Sequence, residues 1–113
     1  MAVILWHNPR CSKSRQTLAL LGERGVAVET RLYLDTPPSK EELGHALELL
    51  GKTPSQIIRK GETLFKDLGL ESADEATLLE AMVQNPKLIE RPILFAKGKA
   101  AIGRPPEAVL DIL

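Results

Sequence analysis

The stretch VILWHNPRCSKSRQTLALLGERGVAVETRLYL, residues 3–34, decides the fold. Val3-Ile4-Leu5-Trp6 is short, apolar and rich in strand formers, and it runs into Asn8-Pro9, which reads as a buried strand entering a turn. From Ser12 the pattern turns helical. Leu18, Ala19, Leu20 and Leu21 supply an apolar face, and Gly25 supplies a stop just beyond Glu23 and Arg24. Val26 to Leu34 then alternates, with Val26, Val28, Leu32 and Leu34 set among Glu29, Thr30 and Arg31, so a second strand is expected there. Strand, helix and strand within about thirty residues form a crossover unit, which makes the two strands parallel.

Downstream, helix-start signals recur with no strand between them. Pro37-Pro38 precedes Ser39-Lys40-Glu41-Glu42, a capping box in which the serine oxygen and the glutamate three residues on satisfy amides reciprocally. Leu43, Leu47 and Leu50 line one face of that helix and Gly51 closes it. Thr53-Pro54-Ser55-Gln56 opens another, with proline at the first helical position. A short segment over 63–68 and a helix from Asp74 to Val83 follow, ending at Asn85-Pro86. Residues 39–86 therefore read as a helical insertion. Beyond it, Pro92-Ile93-Leu94-Phe95-Ala96, Lys97-Gly98 and Lys99-Ala100-Ala101-Ile102 form two strands around a glycine turn, a β-hairpin. Arg104-Pro105-Pro106-Glu107 begins a last helix carrying Val109, Leu110 and Leu113. The order β-α-β, helices, β-β-α predicts an α/β fold with a mixed sheet of the thioredoxin/glutaredoxin type, a single domain over 1–113 with the insertion inside it.

With 15 Lys and Arg against 15 Asp and Glu the formal charge is zero, so the total gives no support to nucleic-acid or membrane-surface binding. The neutral total hides two signs. Arg91, Lys97, Lys99 and Arg104 are unaccompanied by any acid over 91–106, whereas Glu62, Asp67, Glu71, Asp74, Glu75 and Glu80 crowd 62–80. Hydrophobic content of 43% with 27% charged residues argues against disorder. The apolar run 2–6 is far short of the ~20 residues of a membrane span and has no basic flank of a secretory leader. A lone cysteine excludes an intrachain disulfide and a thiolate zinc site, and His7 and His45 are too far apart for common metal spacings, so no metal is expected. These absences point to the cytoplasm.

That cysteine, Cys11, falls where the first strand should end and the first helix begin. A helix N-terminus offers unpaired amides and a partial positive charge, which favour an anionic sulfur and can receive an oxyanion. His7, Arg10, Lys13 and Arg15 surround it in sequence, and the first acid of the chain is Glu23. Most free cysteines are small buried apolar residues, but a cysteine in this electropositive setting reads as a nucleophile. Arg59, Arg91 and Arg104 are candidates to converge on the same pocket and bind a tetrahedral oxyanion through forked, charge-assisted bonds. Considered singly, each is a surface charge. His45 reads as solvent-facing, and Trp6 as packing.

The segments His7-x-x-x-Cys11-x-x-x-Arg15, Leu32-Tyr33-Leu34-x-x-Pro37-Pro38, Ile57-Ile58-Arg59-Lys60, Leu68-Gly69-Leu70, Asn85-Pro86-x-Leu88-Ile89-x-Arg91-Pro92-Ile93 and Gly103-Arg104-Pro105-Pro106 together resemble the glutaredoxin-coupled arsenate reductase family. The resemblance spans essentially the whole chain. It implies a single nucleophilic cysteine at Cys11, oxyanion-binding arginines at Arg59, Arg91 and Arg104, a histidine at His7 that favours the thiolate, and a supporting Arg15. It also implies a cis peptide at Arg91-Pro92. The implied reaction is reduction of arsenate to arsenite through a covalent Cys11 adduct, with no bound cofactor, glutathione as co-substrate and glutaredoxin as partner. One cysteine cannot resolve such an adduct by itself, so an external thiol is required. Phosphatase-like arsenate reductases use a Cys-x5-Arg loop, and Thr17 stands where that arginine would be; a Cys-x-x-Cys redox motif would need cysteine in place of Ser14. Two rivals share the fold: a glutathione-dependent thiol reductase, and a regulator that binds RNA polymerase, for which the set of Cys11 with three arginines has no evident use.

Overall fold

The computed structural model describes residues 2–113. The chain divides into two compact units, one joining the residues up to Thr36 with Arg91–Leu113, the other comprising Pro37–Glu90.

The first unit is built on a four-stranded sheet of order β2-β1-β3-β4, with β1 at Ile4–Trp6, β2 at Glu29–Arg31, β3 at Ile93–Ala96 and β4 at Lys99–Ile102. Leu5 pairs with Thr30 in the parallel β1-β2 ladder and with Leu94 in the antiparallel β1-β3 ladder. The mixed sheet of thioredoxin type expected from the sequence is thus present. The β3-β4 turn places both Lys97 and Gly98 at positive φ, 53° and 72°, the backbone a tight hairpin turn demands and glycine adopts freely.

Helix α1, Ser12–Glu23, leads from β1 back to β2. Leu5 and Leu94 point to one face of the sheet, where they form a fully buried cluster with Leu21 of α1 and Val109 of the C-terminal 3-10 helix, Pro106–Ile112. Trp6 and Phe95 lie on the other face with ring centroids 4.8 Å apart, as the alternation of side chains along a strand requires. The peptides Arg91-Pro92 and Arg104-Pro105 are both cis; the first matches expectation, and the second has no signal in the sequence.

One strand is shorter than the sequence suggests. The alternation over Val26–Leu34 yields ladder pairing only at Glu29–Arg31. Val26 and Val28 still pack on the core, but beyond Arg31 the chain turns, with the amides of both Asp35 and Thr36 donating to the Leu32 carbonyl and Arg31 Nε donating to the Thr36 carbonyl. The ladder stops because its partner stops: His7 N–H makes the last bond, to the Arg31 carbonyl, before Asn8-Pro9 turns away.

The second unit is helical: α2 at Lys40–Leu50, α3 at Pro54–Ile57, α4 at Thr63–Asp67 and α5 at Glu75–Gln84, with 3-10 turns at Leu70–Ser72 and Pro86–Leu88. The capping box at Ser39 is formed, Glu42 N–H donating to Ser39 Oγ and Ser39 N–H to Glu42 Oε1, and the αL residue Gly51 terminates α2. Asp74 caps α5 by accepting the Thr77 amide. A short antiparallel bridge, Ile58 with Ile89, ties the end of α3 to the segment before Arg91. Among the described residues, no helix is long and apolar enough to cross a membrane.

Candidate active site

Cys11 is the residue immediately before α1, with extended backbone. Its side chain does not cap the helix, and it is 8% exposed. Its own amide is occupied, donating to the Asn8 carbonyl at 3.0 Å. The first-turn amides of α1 have no partner within the helix by geometry, so the dipole's positive end opens beside the sulfur.

The loop that carries Cys11 is pinned by hydrogen bonds. Arg10 N–H donates to Asn8 Oδ1 at 3.0 Å, and Asn8 N–H donates to Ser14 Oγ at 3.0 Å. Arg15 reaches back from the first turn of α1, its Nη1 donating to the Pro9 carbonyl at 2.9 Å. His7 Nδ1 lies 2.7 Å from Ser14 Oγ. His7 and Ser14 are both buried, Ser14 completely. Burial first, and the Arg15 charge second, hold the His7 pKa below its ordinary 6.5, so at neutral pH the imidazole is uncharged.

Arg104 brings a permanent charge to the sulfur from far along the chain. Its Nη2 donates to Cys11 Sγ at 3.5 Å while its Nε donates to the Arg91 carbonyl at 2.8 Å. The close fit beneath it depends on Gly103, whose amide donates to the Pro92 carbonyl. A Cβ at 103 would stand 2.5 Å from Thr17 Oγ1 and 2.8 Å from Pro92 Cγ. Thr17 is itself fully buried, its hydroxyl donating to the Lys13 carbonyl.

Cys11, His7, Arg15, Arg91 and Arg104 all belong to the first unit, Arg91 meeting Arg104 through its backbone carbonyl. His7 meets Ser14, Arg15 meets the Pro9 carbonyl, and Arg104 is the guanidinium on the sulfur. Arg10 and Lys13 are exposed. Arg59 belongs to the second unit, where its Nη1 donates to Glu62 Oε2 at 2.8 Å. Its amide bonds the Leu88 carbonyl, so its backbone is fixed by the same bridge that joins Ile58 to Ile89. Four contributors escape a reading of the sequence for reactive types: Asn8, Ser14, Thr17 and Gly103. Ser14, Thr17 and Leu21 share one face of α1 at helical spacing and are all buried, so their periodicity was visible, but two of the three are polar.

The chain matches the ArsC family over residues 6–112, which includes every residue of this site. The chain belongs to the ArsC family. Relatives similar to this ArsC-family chain include the uncharacterized protein YfgD of Escherichia coli strain K12, 53% identical over 98% of the chain and 96% of the relative. An arsenate reductase of Neisseria meningitidis is 47% identical, covering 96% of each protein. Among solved structures, an arsenate reductase from Vibrio cholerae superposes with a TM-score of 0.95 at 47% identity, covering 100% of this chain and 98% of that one.

Proposed function

We propose that this ArsC-family chain reduces arsenate to arsenite through a covalent adduct on Cys11, with glutathione and glutaredoxin supplying the two electrons. The observation that carries the reading is the Arg104 guanidinium held 3.5 Å from Cys11 Sγ at the head of α1. The relatives named as arsenate reductases support the choice of oxyanion.

In the first step the Cys11 thiolate attacks arsenic and one arsenate oxygen leaves as water after protonation, giving a cysteinyl-arsenate ester with arsenic still pentavalent. Arg104 stabilises negative charge on the sulfur before attack and on the oxygens after it. Arg91, in the same unit as Cys11, adds a second guanidinium for the anion. Arg15 contributes by holding the Pro9 carbonyl, and His7 by holding Ser14.

Completion needs two more thiols. A glutathione thiolate displaces a second oxygen from arsenic as water. A glutaredoxin thiolate then attacks the glutathione sulfur, forming a mixed disulfide, and the pair of electrons of the broken As–S bond stays on arsenic, which becomes trivalent. Hydrolysis of the remaining Cys11–arsenic bond releases arsenite and restores the thiolate. Such thiol chemistry belongs in a reducing compartment, and we place the enzyme in the cytoplasm.

The test is arsenate-dependent NADPH oxidation in the presence of glutathione, glutathione reductase and glutaredoxin. The reading predicts turnover that vanishes in Cys11→Ser and vanishes when glutaredoxin is left out. Turnover that persists without glutaredoxin would remove the coupling, and its absence in the complete mixture would remove the activity.

A further inference from the structure

Ser14 is fully buried in the first turn of α1, and among the described residues its hydroxyl has two partners: the Asn8 amide, which donates to Oγ at 3.0 Å, and His7 Nδ1 at 2.7 Å. A hydroxyl carries one proton to donate. With the Asn8 N–H pointing at Oγ, the Ser14 proton has a single acceptor, His7 Nδ1, and it can be given there only if Nδ1 is bare. His7 is then neutral with its proton on Nε2. A protonated His7 would aim Nδ1–H at Oγ instead, leaving a buried hydroxyl proton with no acceptor, which is costly.

We propose that Ser14 is a positioning residue for Cys11: its hydroxyl locks His7 in the Nε2–H tautomer and grips the Asn8 amide, and so sets the loop on which the sulfur is mounted. Asn8 is the hub through which this acts. Its amide is held by Ser14, its side-chain oxygen accepts Arg10 N–H, and its carbonyl accepts the Cys11 amide itself. Remove the Ser14 hydroxyl and Asn8 loses its anchor to α1, and with it the Cys11 amide loses a fixed acceptor. The lowered His7 pKa, caused by burial and by Arg15, agrees with a neutral ring. On this account His7 supports the nucleophile as a neutral member of a hydrogen-bonded chain, where the sequence suggested a charge beside the thiolate. The inference rests on Cys11 being the nucleophile of the proposed reaction, but its readouts involve no arsenate, so the two can fail separately.

The experiment pairs imidazole nitrogen NMR with Cys11 alkylation by iodoacetamide at pH 7.5. In the native protein His7 is expected to show a bare, hydrogen-bonded Nδ1 and a protonated Nε2. Ser14→Ala is expected to shift His7 toward a mixture of tautomers and to slow alkylation about fivefold, the rate equivalent of one lost hydrogen bond of about 1 kcal/mol. Ser14→Thr, which keeps the hydroxyl, restores the native tautomer. A native His7 that is protonated, or that carries its proton on Nδ1, overturns the proposal even if Ser14→Ala does not fold. A folded Ser14→Ala protein with unchanged His7 nitrogens and unchanged alkylation overturns it as well.

Discussion

Cys11 is flanked by two positive ends, the N-terminus of α1 and the Arg104 guanidinium. Of the two, Arg104 is the easier to remove. Arg104→Ala is expected to slow Cys11 alkylation by iodoacetate at neutral pH about fivefold at low salt, and less at high salt, because an exposed guanidinium is partly screened. Equal rates in the two proteins would show that the 3.5 Å contact does not act on the sulfur. His7 adds a pH dependence to stability. Its folded pKa is lowered from 6.5 by burial and by Arg15, so the unfolded chain binds the proton more readily. The stabilisation is complete above pH 6.5 and is lost as pH falls from there through the lowered folded value. Thermal melts should show the native protein losing stability on acidification below pH 6.5 faster than His7→Gln; parallel losses would contradict the assignment. At this scale the sequence was legible where a residue announces chemistry by its type, as Cys11 and Arg104 do. Ser14 and Gly103 were not legible, because serine and glycine are common everywhere and their weight comes from a buried hydroxyl partner in one case and from the space left for no Cβ in the other.

Elements were readable to the extent that their signals are local. The Ser39 capping box, the Gly51 stop and the Asp74 cap all sit where side-chain chemistry over three or four residues dictates. Strand β2 is shorter than its alternation suggests, since alternation reports a buried face, while ladder length depends on the partner strand, and β1 ends at Trp6. The hairpin of β3 and β4 was readable too, but the element that matters to the site is the bend after it. There Gly103 threads between Thr17 and Pro92 before delivering Arg104. Gly103→Ala is expected to destabilise the protein by about 1–3 kcal/mol, the usual cost of overpacking, and to slow Cys11 alkylation because Arg104 is displaced. Urea denaturation and alkylation together check this; a native midpoint with a native rate would mean that Thr17 and Pro92 yield without moving the arginine.

For the whole molecule, the opposed charge of its segments explains the neutral total. The basic side chains of the hairpin region lie in the unit that holds Cys11, and the acids of 62–80 lie in the helical unit. The parallel pair β1-β2 with α1 between them positions the thiol, and the segment that follows the hairpin of β3 and β4 brings Arg104 to the sulfur from 93 residues away, its Nε held by the Arg91 carbonyl. That return is held by the buried cluster of Leu5, Leu21, Leu94 and Val109. Leu94→Ala should therefore cost about 2–5 kcal/mol of unfolding free energy in urea, as large-to-small changes at buried leucines do; a loss below about 1 kcal/mol would show that the cluster is not what secures the hairpin. The engagement of Arg59 with Glu62 could not be foreseen from either residue's type, because it requires the turn in which Glu62 N–H also bonds the Arg59 carbonyl.

The central claim is that Cys11 is the nucleophile toward arsenate. It is tested most directly by measuring arsenite itself, separated from arsenate and quantified, after incubation with arsenate, glutathione and glutaredoxin. The native protein is predicted to form arsenite catalytically and Cys11→Ser to form no more than the protein-free control. Arsenite production by Cys11→Ser at the native rate would contradict the account.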